Sequence, residues 1–533
     1  MAIMTPNAKQ IPVKIVGSSI YGRHPIISDE RTWNMFISDD WMLNFAGYNE
    51  AVHMLAFGSE GRGAFHSTRG NFVLVVIASN VYRIDPNLGY TFLYSIGTET
   101  GEVFMDENLS SQIAIVDGTA IAYIYNYSDG VDAVAPIVRT GTTQDFIYNY
   151  VTYQNTYFIF GNGLTSHSGS QWYIYKSGYD NSGTPSTAYD LAFVQVLTLQ
   201  TKPDFAKAAI RIPSHGNNLL VMGSTVCELW TNVAGLQTYQ RNSSVNIDYG
   251  VASVSTIAAS DDMVAWLGIN EKSTPAIMVM TGGKAERLST DGIDYQLSLV
   301  QHPESSTAMF YRQDGHVFYI LTFFHEADNF SIMYDFTTQK FFDLTDWDFT
   351  YHPARQMVYF NNEVYFVSLK QGSLMRISTN LTSISTNVIN EYEIPRIRKC
   401  DTFRLPGSDR FIVNQFSFTI ENGVEQDVDF SFECDGYILG ETSGQIMYSE
   451  DDEPLLVEGG SCRVYRPRID VNLSKNGGQT YGNSNIYYMH ATGNYMNQPR
   501  FNKLGQANQF TVQMRFWGFG AVVASNGVLE VYQ

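Results

Sequence analysis

Short runs of apolar residues recur between polar turns over most of this chain. In residues 331–344, Ser-Ile-Met-Tyr-Asp-Phe is followed by Thr-Thr-Gln and then by Lys-Phe-Phe-Asp-Leu, the pattern of a β-hairpin. Similar strands lie at intervals of 41 to 57 residues around seven markers, namely Tyr82, Ile124, Tyr173, Trp230, Val279, Tyr334 and Met375. Repeats of several strands at such a period are typical of β-propellers. The pattern predicts a β-propeller of about six to eight blades over residues 51–390.

The residues before the repeat have a different pattern. Residues 1–50 are irregular and carry the large aromatic side chains Trp33, Phe36 and Trp41. Because exposed aromatic side chains favour association, we expect an N-terminal arm that packs on the propeller or on a neighbouring subunit.

The pattern changes again near residue 390. A Ser/Thr/Asn-rich segment, residues 377–390, is followed by the basic stretch 393–399. Apolar and polar residues then alternate, as in Phe416–Ile420 and Phe510–Phe516. Alternation between turn signals is typical of antiparallel sheets. We predict an antiparallel β-sandwich over residues 391–533 and an all-β fold class. The best helical pattern, Pro203–Ile210, spans at most two turns.

Composition narrows the classes of function. The formal net charge is −20, and only 16% of residues are charged. A chain that grips nucleic acid needs a basic face, whereas a negative wall keeps DNA from sticking to it. The low charge content indicates either a surface covered in an assembly or a monomer with a Tyr/Asn/Ser/Gly-rich surface.

Targeting segments and cysteine motifs are not visible. The N-terminus has no basic region followed by an apolar one, and the longest apolar run, Phe72–Ala78, suits a buried strand. We expect no signal peptide and no stable membrane insertion. The cysteines form no CxxC motif, so reduced thiols are expected. Whether Cys434 and Cys462 form a disulfide is left undecided by the sequence.

The usual catalytic motifs are also missing. The sequence has no HExxH, GxxxxGK[ST], GxGxxG after a strand or GxSxG. Three aspartates lie close together in the sequence, at Asp343, Asp346 and Asp348. They suggest either a calcium loop or a carboxylate pair for glycoside hydrolysis, or a structural loop with Asx-turns. We favour the structural loop. Ser474–Tyr481 resembles the Asp-box hairpin of sialidase propellers, which is a folding device. We therefore predict no catalytic residues, no cofactor and no metal.

One basic cluster stands out in this acidic chain. It contains Arg396, Arg398, Lys399 and Arg404 and is joined farther on by Arg463, Arg466 and Arg468. Ordinary surface pairing, an assembly interface and DNA contact are three open interpretations. The candidate interface residues are Trp33, Phe36, Trp41, Arg396, Arg398 and Lys399.

Several short sequence segments resemble those of one protein family. They are Arg31–Phe36, Asn218–Thr231, Val471–Gly482, Pro499–Gly505 and Val512–Phe516. They are similar to the V-N-M entry segment, the hydrophobic strand with G-S-S/T-T-x-E-x-[WF], the S-x-D-G-x-x-Y/W-G hairpin, the R-x-x-[KR]-[LV]-G segment and the final strand of packaged-DNA stabilisation proteins. These proteins are also called tail hub or nozzle proteins of short-tailed bacteriophages. Asn476 departs from the family's Asp in the hairpin.

This resemblance implies a structural virion protein without enzymatic activity. Six copies would form a tube below the portal and its adaptor ring, retain packaged DNA and conduct it during ejection. The implied partners are the adaptor ring, a tail needle, fibres or tailspikes, and DNA that passes without sequence-specific binding. The implied location is the virion tail, after assembly in the host cytoplasm. The alternatives are a glycan-binding or sialidase-like propeller and a receptor-binding tail adhesin.

Overall fold

The structure is a computed structural model in which two compact units can be described. It describes residues 9–22, 30–128, 132–138, 145–176, 189–190, 192–212, 216, 218–233, 238–381, 383–385, 391–405, 410–421, 431–437, 456–465, 468–488, 496–517 and 523–532. The propeller unit consists of the described residues within Ala46–Leu381 and Ser385–Glu391. The second unit consists of those within Met1–Phe45, Thr382–Ile384 and Tyr392–Gln533.

The strands that precede the first blade are β1 Lys9–Val13, β2 Arg31–Trp33, β3 Met35–Ser38, β4 Trp41–Asn44 and β5 Gly47–Phe57. Blades 1 and 2 contain β6 Gly61–Ser67, β7 Phe72–Ile77, β8 Asn80–Ile84, β9 Tyr90–Ser95, β10 Phe104–Glu107, β11 Gln112–Val116, β12 Ala122–Asn126 and β13 Ala133–Val138. Blade 3 contains β14 Tyr148–Gln154, β15 Tyr157–Asn162, β16 Gln171–Lys176 and β18 Ala192–Thr198, while β17 Tyr189–Asp190 pairs with β13. Blade 4 contains β19 Ala208–Arg211, β20 Asn218–Met222, β21 Cys227–Asn232 and β22 Tyr239–Ile247.

Blade 5 contains β23 Gly250–Val251, β24 Ala258–Ser260, β25 Met263–Ile269, β26 Pro275–Thr281 and β27 Lys284–Arg287. Blade 6 contains β28 Ser306–Gln313, β29 His316–Phe323, β30 Phe330–Asp335 and β31 Lys340–Leu344. Blade 7 contains β32 Ala354–Phe360, β33 Glu363–Ser368 and β34 Gln371–Ser378, together with β5. The described residues thus form seven blades, which confirms the predicted all-β propeller. Each of the seven sequence markers lies in the third strand of a different blade.

The ring closes because a strand from the start of the chain completes the last blade. Strand β5, which precedes blade 1, pairs antiparallel with β34 of blade 7, for example Asn49 with Arg376. The Ser373 hydroxyl donates a hydrogen bond of 2.5 Å to Glu50 across this pair. The first strands of neighbouring blades contact one another around most of the ring, and β32 contacts β6. The last blade is therefore completed by residues that precede the first.

Packing between blades explains why the strands are so apolar. Every residue of β7, Phe72–Ile77, is buried. Its alternating side chains enter two different cores: Leu74 and Val76 pack with blade 2 residues, whereas Val73 and Val75 pack with blade 7 residues. A sheet covered on both faces needs apolar residues at successive positions rather than at alternate ones.

The helix prediction was wrong. Residues 204–207 are irregular, and Ala208–Arg211 forms β19, which pairs with β20. Asp204 accepts hydrogen bonds from the backbone N–H groups of Thr225 and Val226 at 2.6 and 3.1 Å, so it organises a loop. The described α-helix is α1, Asp291–Ser298, which begins at an N-cap formed by Thr290. Among the described residues, no helix is long and apolar enough to span a membrane.

The remaining strands are β35 Ser383–Ser385, β36 Glu391–Glu393, β37 Arg396–Lys399, β38 Phe411–Glu421, β39 Ser431–Tyr437, β40 Leu456–Tyr465, β41 Arg468–Ser474, β42 Asn485–Tyr488, β43 Met496–Asn497, β44 Arg500–Ala507, β45 Thr511–Trp517 and β46 Val523–Tyr532. In the second unit, one run of antiparallel strands has the order β2-β37-β45-β41-β42. Another has the order β3-β4-β46-β38-β43, with β1 on β46 and β44 on β38.

The described residues before Phe45 belong to this second unit. Strand β1 pairs with β46, and β2 pairs with β37, so these segments are strands whose partners come from the end of the chain. Backbone pairing with β37 and β46 satisfies hydrogen-bonding groups that an extended arm would leave to water. The chain then enters the propeller through β5, which begins at Gly47.

The Asp-box-like segment is the turn that connects the antiparallel strands β41 and β42, as predicted. The Ser474 hydroxyl accepts a hydrogen bond of 2.8 Å from the Gly478 N–H, and the Asn476 side chain accepts one of 3.0 Å from the Thr480 N–H. Gly477 and Gly478 have φ values of 75° and 84°, which glycine adopts without steric strain. Asn476 therefore does in this turn what an Asp carboxylate would do.

Candidate functional site

The predicted basic cluster is divided between two sides of one sheet. Strand β37 places Arg396 and Arg398 on a buried side and Ile397 and Lys399 on a partly exposed side. Arg396 and Arg398 are only 1% and 0% exposed. Burial lowers the pKa of Arg396 to about 10, and the charge of Glu393 opposes this shift.

Arg398 connects the N-terminal segment to β37. Its guanidinium donates hydrogen bonds to the Ile15 carbonyl at 2.6 Å and the Thr32 hydroxyl at 3.0 Å, and it forms an ion pair with buried Glu30. A Cβ on Gly17 would collide with both the Arg398 guanidinium and the Glu30 carboxylate. Gly17 is thus the residue that lets the backbone approach this ion pair.

The other candidate interface residues differ in exposure. Phe36 is fully buried in β3. Trp33, Trp41 and Lys399 are partly exposed, on β2, β4 and β37 respectively. Burial inside the chain removes Phe36, Arg396 and Arg398 from any surface that could meet another subunit. For Trp33, Trp41 and Lys399 the assembly interface stays a prediction.

A buried polar network lies on the axis of the propeller unit. Glu102, in the segment between blades 1 and 2, accepts hydrogen bonds from Gln356 of blade 7 at 2.5 Å and from Thr307 of blade 6 at 3.2 Å. Arg355 of blade 7 approaches the same carboxylate at 3.9 Å. One side chain therefore connects blades that are not neighbours, which is possible only near the centre of the ring.

Neighbouring residues fix Glu102 in place. Arg62 of β6 donates hydrogen bonds to the Gly101 carbonyl at 2.7 Å and to the Thr98 carbonyl at 2.7 Å. Burial raises the pKa of Glu102 to about 7, although Arg355 and the hydrogen bonds from Gln356, Ser255 and Thr307 act to lower it. This carboxyl group can therefore change its protonation state near neutral pH.

A cavity of about 740 Å³ lies among strands β6, β10, β14, β19 and β24 of blades 1 to 5. Its lining includes Phe65, Asp106, Tyr150, Gln154, Arg211 and Asp261. The polar groups of this lining bind other parts of the wall: Asp106 accepts a hydrogen bond of 2.6 Å from the Tyr153 N–H, and Gln154 donates one of 2.8 Å to the Gly216 carbonyl. Burial raises the pKa of Asp106, although the charge of Arg211 opposes the shift. These contacts hold adjacent blades together.

The aspartate cluster surrounds the chain's own ammonium group. Lys370 Nζ lies 2.5 Å from Asp346, 3.3 Å from both Asp348 carboxylate oxygens and 2.5 Å from the Thr350 hydroxyl. Asp348 also accepts the Thr350 N–H at 3.0 Å, the Asx-turn that the sequence predicted. Burial acts to raise the pKa of Asp348, but the Thr350 hydrogen bonds and the Lys370 charge together lower it. Within the described ranges, no group of His, Cys, Asp and Glu is arranged to hold a metal ion.

Sequence reasoning did not identify Glu102 or Lys370. Glu102 follows a Gly-containing turn and precedes the apolar residues Val103 and Phe104, a pattern that any loop carboxylate entering a strand would share. Lys370 is 22 residues from Asp348 and meets it only when β33 and β34 fold back. Neither residue stands in a motif that could have revealed it.

The fold defines a propeller of seven blades that carries an additional β unit. The family model described as Phage_stabilise, Bacteriophage P22 Gp10, beta-propeller, matches residues 31–381, which is more than half of the chain. The chain therefore belongs to this family, and it is a virion-associated structural protein of a phage tail. Three of the lines on which the sequence resemblance rested lie after residue 381, outside this match.

Solved propeller structures also superpose on part of the chain. The WD40 beta propeller domain of Doa1 has 12% identity and a TM-score of 0.39, covering 62% of this chain and 97% of that one. Virginiamycin B lyase from Staphylococcus aureus has 10% identity and a TM-score of 0.41, covering 62% and 99%. The designed protein Ika8 has 12% identity and a TM-score of 0.36, covering 62% and 99%. A comparison with curated proteins finds no match.

Proposed function

We propose that this chain is a nozzle or hub subunit of a short phage tail. Six copies form a ring that continues the channel of the portal and its adaptor, retains packaged DNA and conducts it during ejection. The observation that carries this proposal is the family match over residues 31–381, which extends from the N-terminal strands through the last blade.

The charge of the chain supports the conduit role. Each copy carries a formal charge of −20, so a closed ring of six copies has a strongly negative field. Such a wall repels phosphates and lets a duplex slide without being held at particular sequences. The ring joins the adaptor above it and a needle, fibres or tailspikes below it, after assembly in the host cytoplasm.

The test is made on particles and on the purified chain together. Phage that lacks the chain should fill its heads and then lose DNA, which is measured as a fall in nuclease-protected genome per head. Imaging of complete particles should place a six-fold ring of this chain between the adaptor and the tail tip. A chain found only at the ends of fibres, in particles that keep their DNA, would support the receptor-binding adhesin instead.

A further inference from the structure

The cavity among strands β6, β10, β14, β19 and β24 is a candidate ligand site. Its volume of about 740 Å³ lies within the range of roughly 300–1,000 Å³ that is usual for small-molecule sites. The aromatic side chains of Phe65, Tyr150 and Tyr153 line it together with aliphatic side chains and a few polar groups. Each of these strands belongs to a different blade, so the hydrogen-bonded sheets of the propeller hold the lining in place.

The Tyr150 hydroxyl has unused hydrogen-bonding capacity in this cavity. Tyr150 is only 9% exposed, and its ring packs against Phe104 with the ring centroids 4.6 Å apart. Among the described residues, no group donates a hydrogen bond to this hydroxyl or accepts one from it. Burial raises the pKa of Tyr150; the charge of Asp106 raises it further and that of Arg211 lowers it, so the hydroxyl lies near both groups. A nearly buried hydroxyl without a partner favours a polar ligand group, because pairing recovers free energy lost on leaving water.

Arg211 and Asp106 place hydrogen-bond donors and acceptors beside that hydroxyl. The Arg211 side chain is exposed, and among the described residues it donates one long hydrogen bond, of 3.5 Å, to the Tyr153 carbonyl. Because a guanidinium group has five N–H donors, most of them stay available. The Asp106 carboxylate accepts hydrogen bonds from the N–H groups of Glu107 and Tyr153 at 2.9 and 2.6 Å and a weaker one, at 3.4 Å, from the Thr152 hydroxyl. A carboxylate has about four acceptor positions, so Asp106 can accept another hydrogen bond.

We propose that this cavity binds a neutral saccharide. Each hydroxyl group of a sugar both donates and accepts hydrogen bonds. Neighbouring hydroxyls can therefore accept from the Arg211 guanidinium, donate to the Asp106 carboxylate and pair with the Tyr150 hydroxyl. The C–H groups of a sugar ring pack favourably against the negative face of an aromatic ring, and Phe65 and Tyr153 are partly exposed in the lining. The inference adds a ligand site to the propeller and does not rest on the proposed ring.

The charges of the lining decide against ionic ligands. The lining carries the carboxylates of Asp106 and Asp261 and the guanidinium of Arg211. Asp261 also forms an ion pair with Arg312. A phosphate or a nucleotide would meet the Asp106 carboxylate beside Arg211 instead of a cluster of cations, and an amine would meet the Arg211 charge. A neutral ligand with both donors and acceptors can use these groups without such repulsion.

The experiment measures the binding of sugars to the full chain by saturation-transfer NMR and by titration calorimetry. The probes are glucose, galactose, mannose, N-acetylglucosamine, lactose and isomaltose, together with inorganic phosphate and thymidine. Tyr150→Phe removes only the hydroxyl, and Arg211→Met removes the charge and its donors. The matched controls are Tyr94→Phe on β9 and Lys284→Met on β27, strands that end their sheets and do not line the cavity. Circular dichroism and the Tm establish that each variant is folded.

At least one of the sugars should bind wild type with a millimolar or lower Kd. Tyr150→Phe should weaken that binding about five-fold and Arg211→Met about ten-fold or more, whereas both controls should bind like wild type. The inference is overturned if no sugar binds at tens of millimolar, if neither cavity variant weakens the binding, or if phosphate or thymidine binds more tightly than every sugar. The sugar that binds is then compared with a polysaccharide built from it. Binding of both assigns the site to the ends of glycan chains, and binding of the small sugar alone assigns it to a free sugar.

Discussion

Glu102 and Gln356 meet at the centre of the propeller at 2.5 Å, although one residue leads into blade 2 and the other lies in blade 7. Gln356 also accepts a hydrogen bond of 2.9 Å from the Ala64 N–H of blade 1. The contact thus joins the first, second and last blades. Closure of the ring depends on this polar network as well as on the pairing of β5 with β34.

Stability should depend on pH through Glu102. Burial raises its folded-state pKa to about 7, above the ordinary value of 4.5. A raised acid pKa means that the stabilising contribution of the protonated form is complete below about pH 4.5 and is lost as pH rises through about 7. Between pH 4.5 and 8, the free energy of unfolding should therefore fall more in wild type than in Glu102→Gln. The difference between the two falls should be up to about 3 kcal/mol. Thermal unfolding of both proteins across this range measures the difference. Glu99→Gln, at an exposed position, should follow wild type, and parallel curves for Glu102→Gln and wild type would contradict the prediction.

Gly17→Ala should destabilise the second unit. The added methyl group would collide with Arg398 and Glu30, and separation of a buried ion pair leaves charges without their compensation. We expect a loss of about 2–4 kcal/mol, measured by denaturant unfolding with a probe in that unit. Gly89→Ala is the matched control, because a Cβ at that position would meet no atom within 4 Å. Equal stability of the two variants would show that residues 15–19 are not held as the structure has them.

Lys370→Met should destabilise the loop between blades 6 and 7. Its ammonium group neutralises Asp346, which is 1% exposed and also accepts a hydrogen bond of 2.5 Å from Tyr48. Loss of the ammonium group should cost about 1–3 kcal/mol, seen as a lower Tm. Lys340→Met, at an exposed position of β31, serves as the control.

Calcium tests the same cluster in another way. Because Lys370 occupies the space between the carboxylates, millimolar Ca²⁺ should leave the Tm of wild type unchanged. A calcium-dependent rise in the Tm of wild type would show that the carboxylates are a cation site after all.

Oxidation should connect Cys434 and Cys462. The register of β39 and β40 pairs these two positions directly. Opposed residues of antiparallel strands have Cα atoms roughly 4.5–5.5 Å apart, within the range that a disulfide spans. Peptide mapping without reductant, after mild oxidation, should find this bridge.

Cys227 and Cys400 are internal controls for the same experiment. Both are buried and free, and burial raises the pKa of the Cys400 thiol to about 11. Thiolate is the reactive form, so these two cysteines should stay unmodified in the folded chain. Bridges that involve either of them would mean that the strands had opened before oxidation.

The sequence by itself determined the strand content and the repeat. Apolar residues at successive positions, as in Phe72–Ile77, require a strand covered on both faces, and markers such as Tyr82 and Met375 recur once per blade because each third strand needs the same packing. Such patterns are local, because they require that a strand be covered but do not specify which strand covers it. The strand at Ala208–Arg211 was misread as helix, since Ala and Lys favour helices until tertiary packing overrides that preference.

Tertiary structure alone decided what the polar residues do. In Arg396–Lys399 the alternation shows that Arg396 and Arg398 share one side and Ile397 and Lys399 the other, but it does not show which side is covered. Ile15 and Thr32, which bind Arg398, are hundreds of residues away along the chain, so Arg398 is buried while its neighbour Ile397 is partly exposed, against their usual preference. The contacts of Glu102 and Lys370 arise in the same way, because contacts between distant segments follow from the closed ring and the paired sheets and not from any local motif.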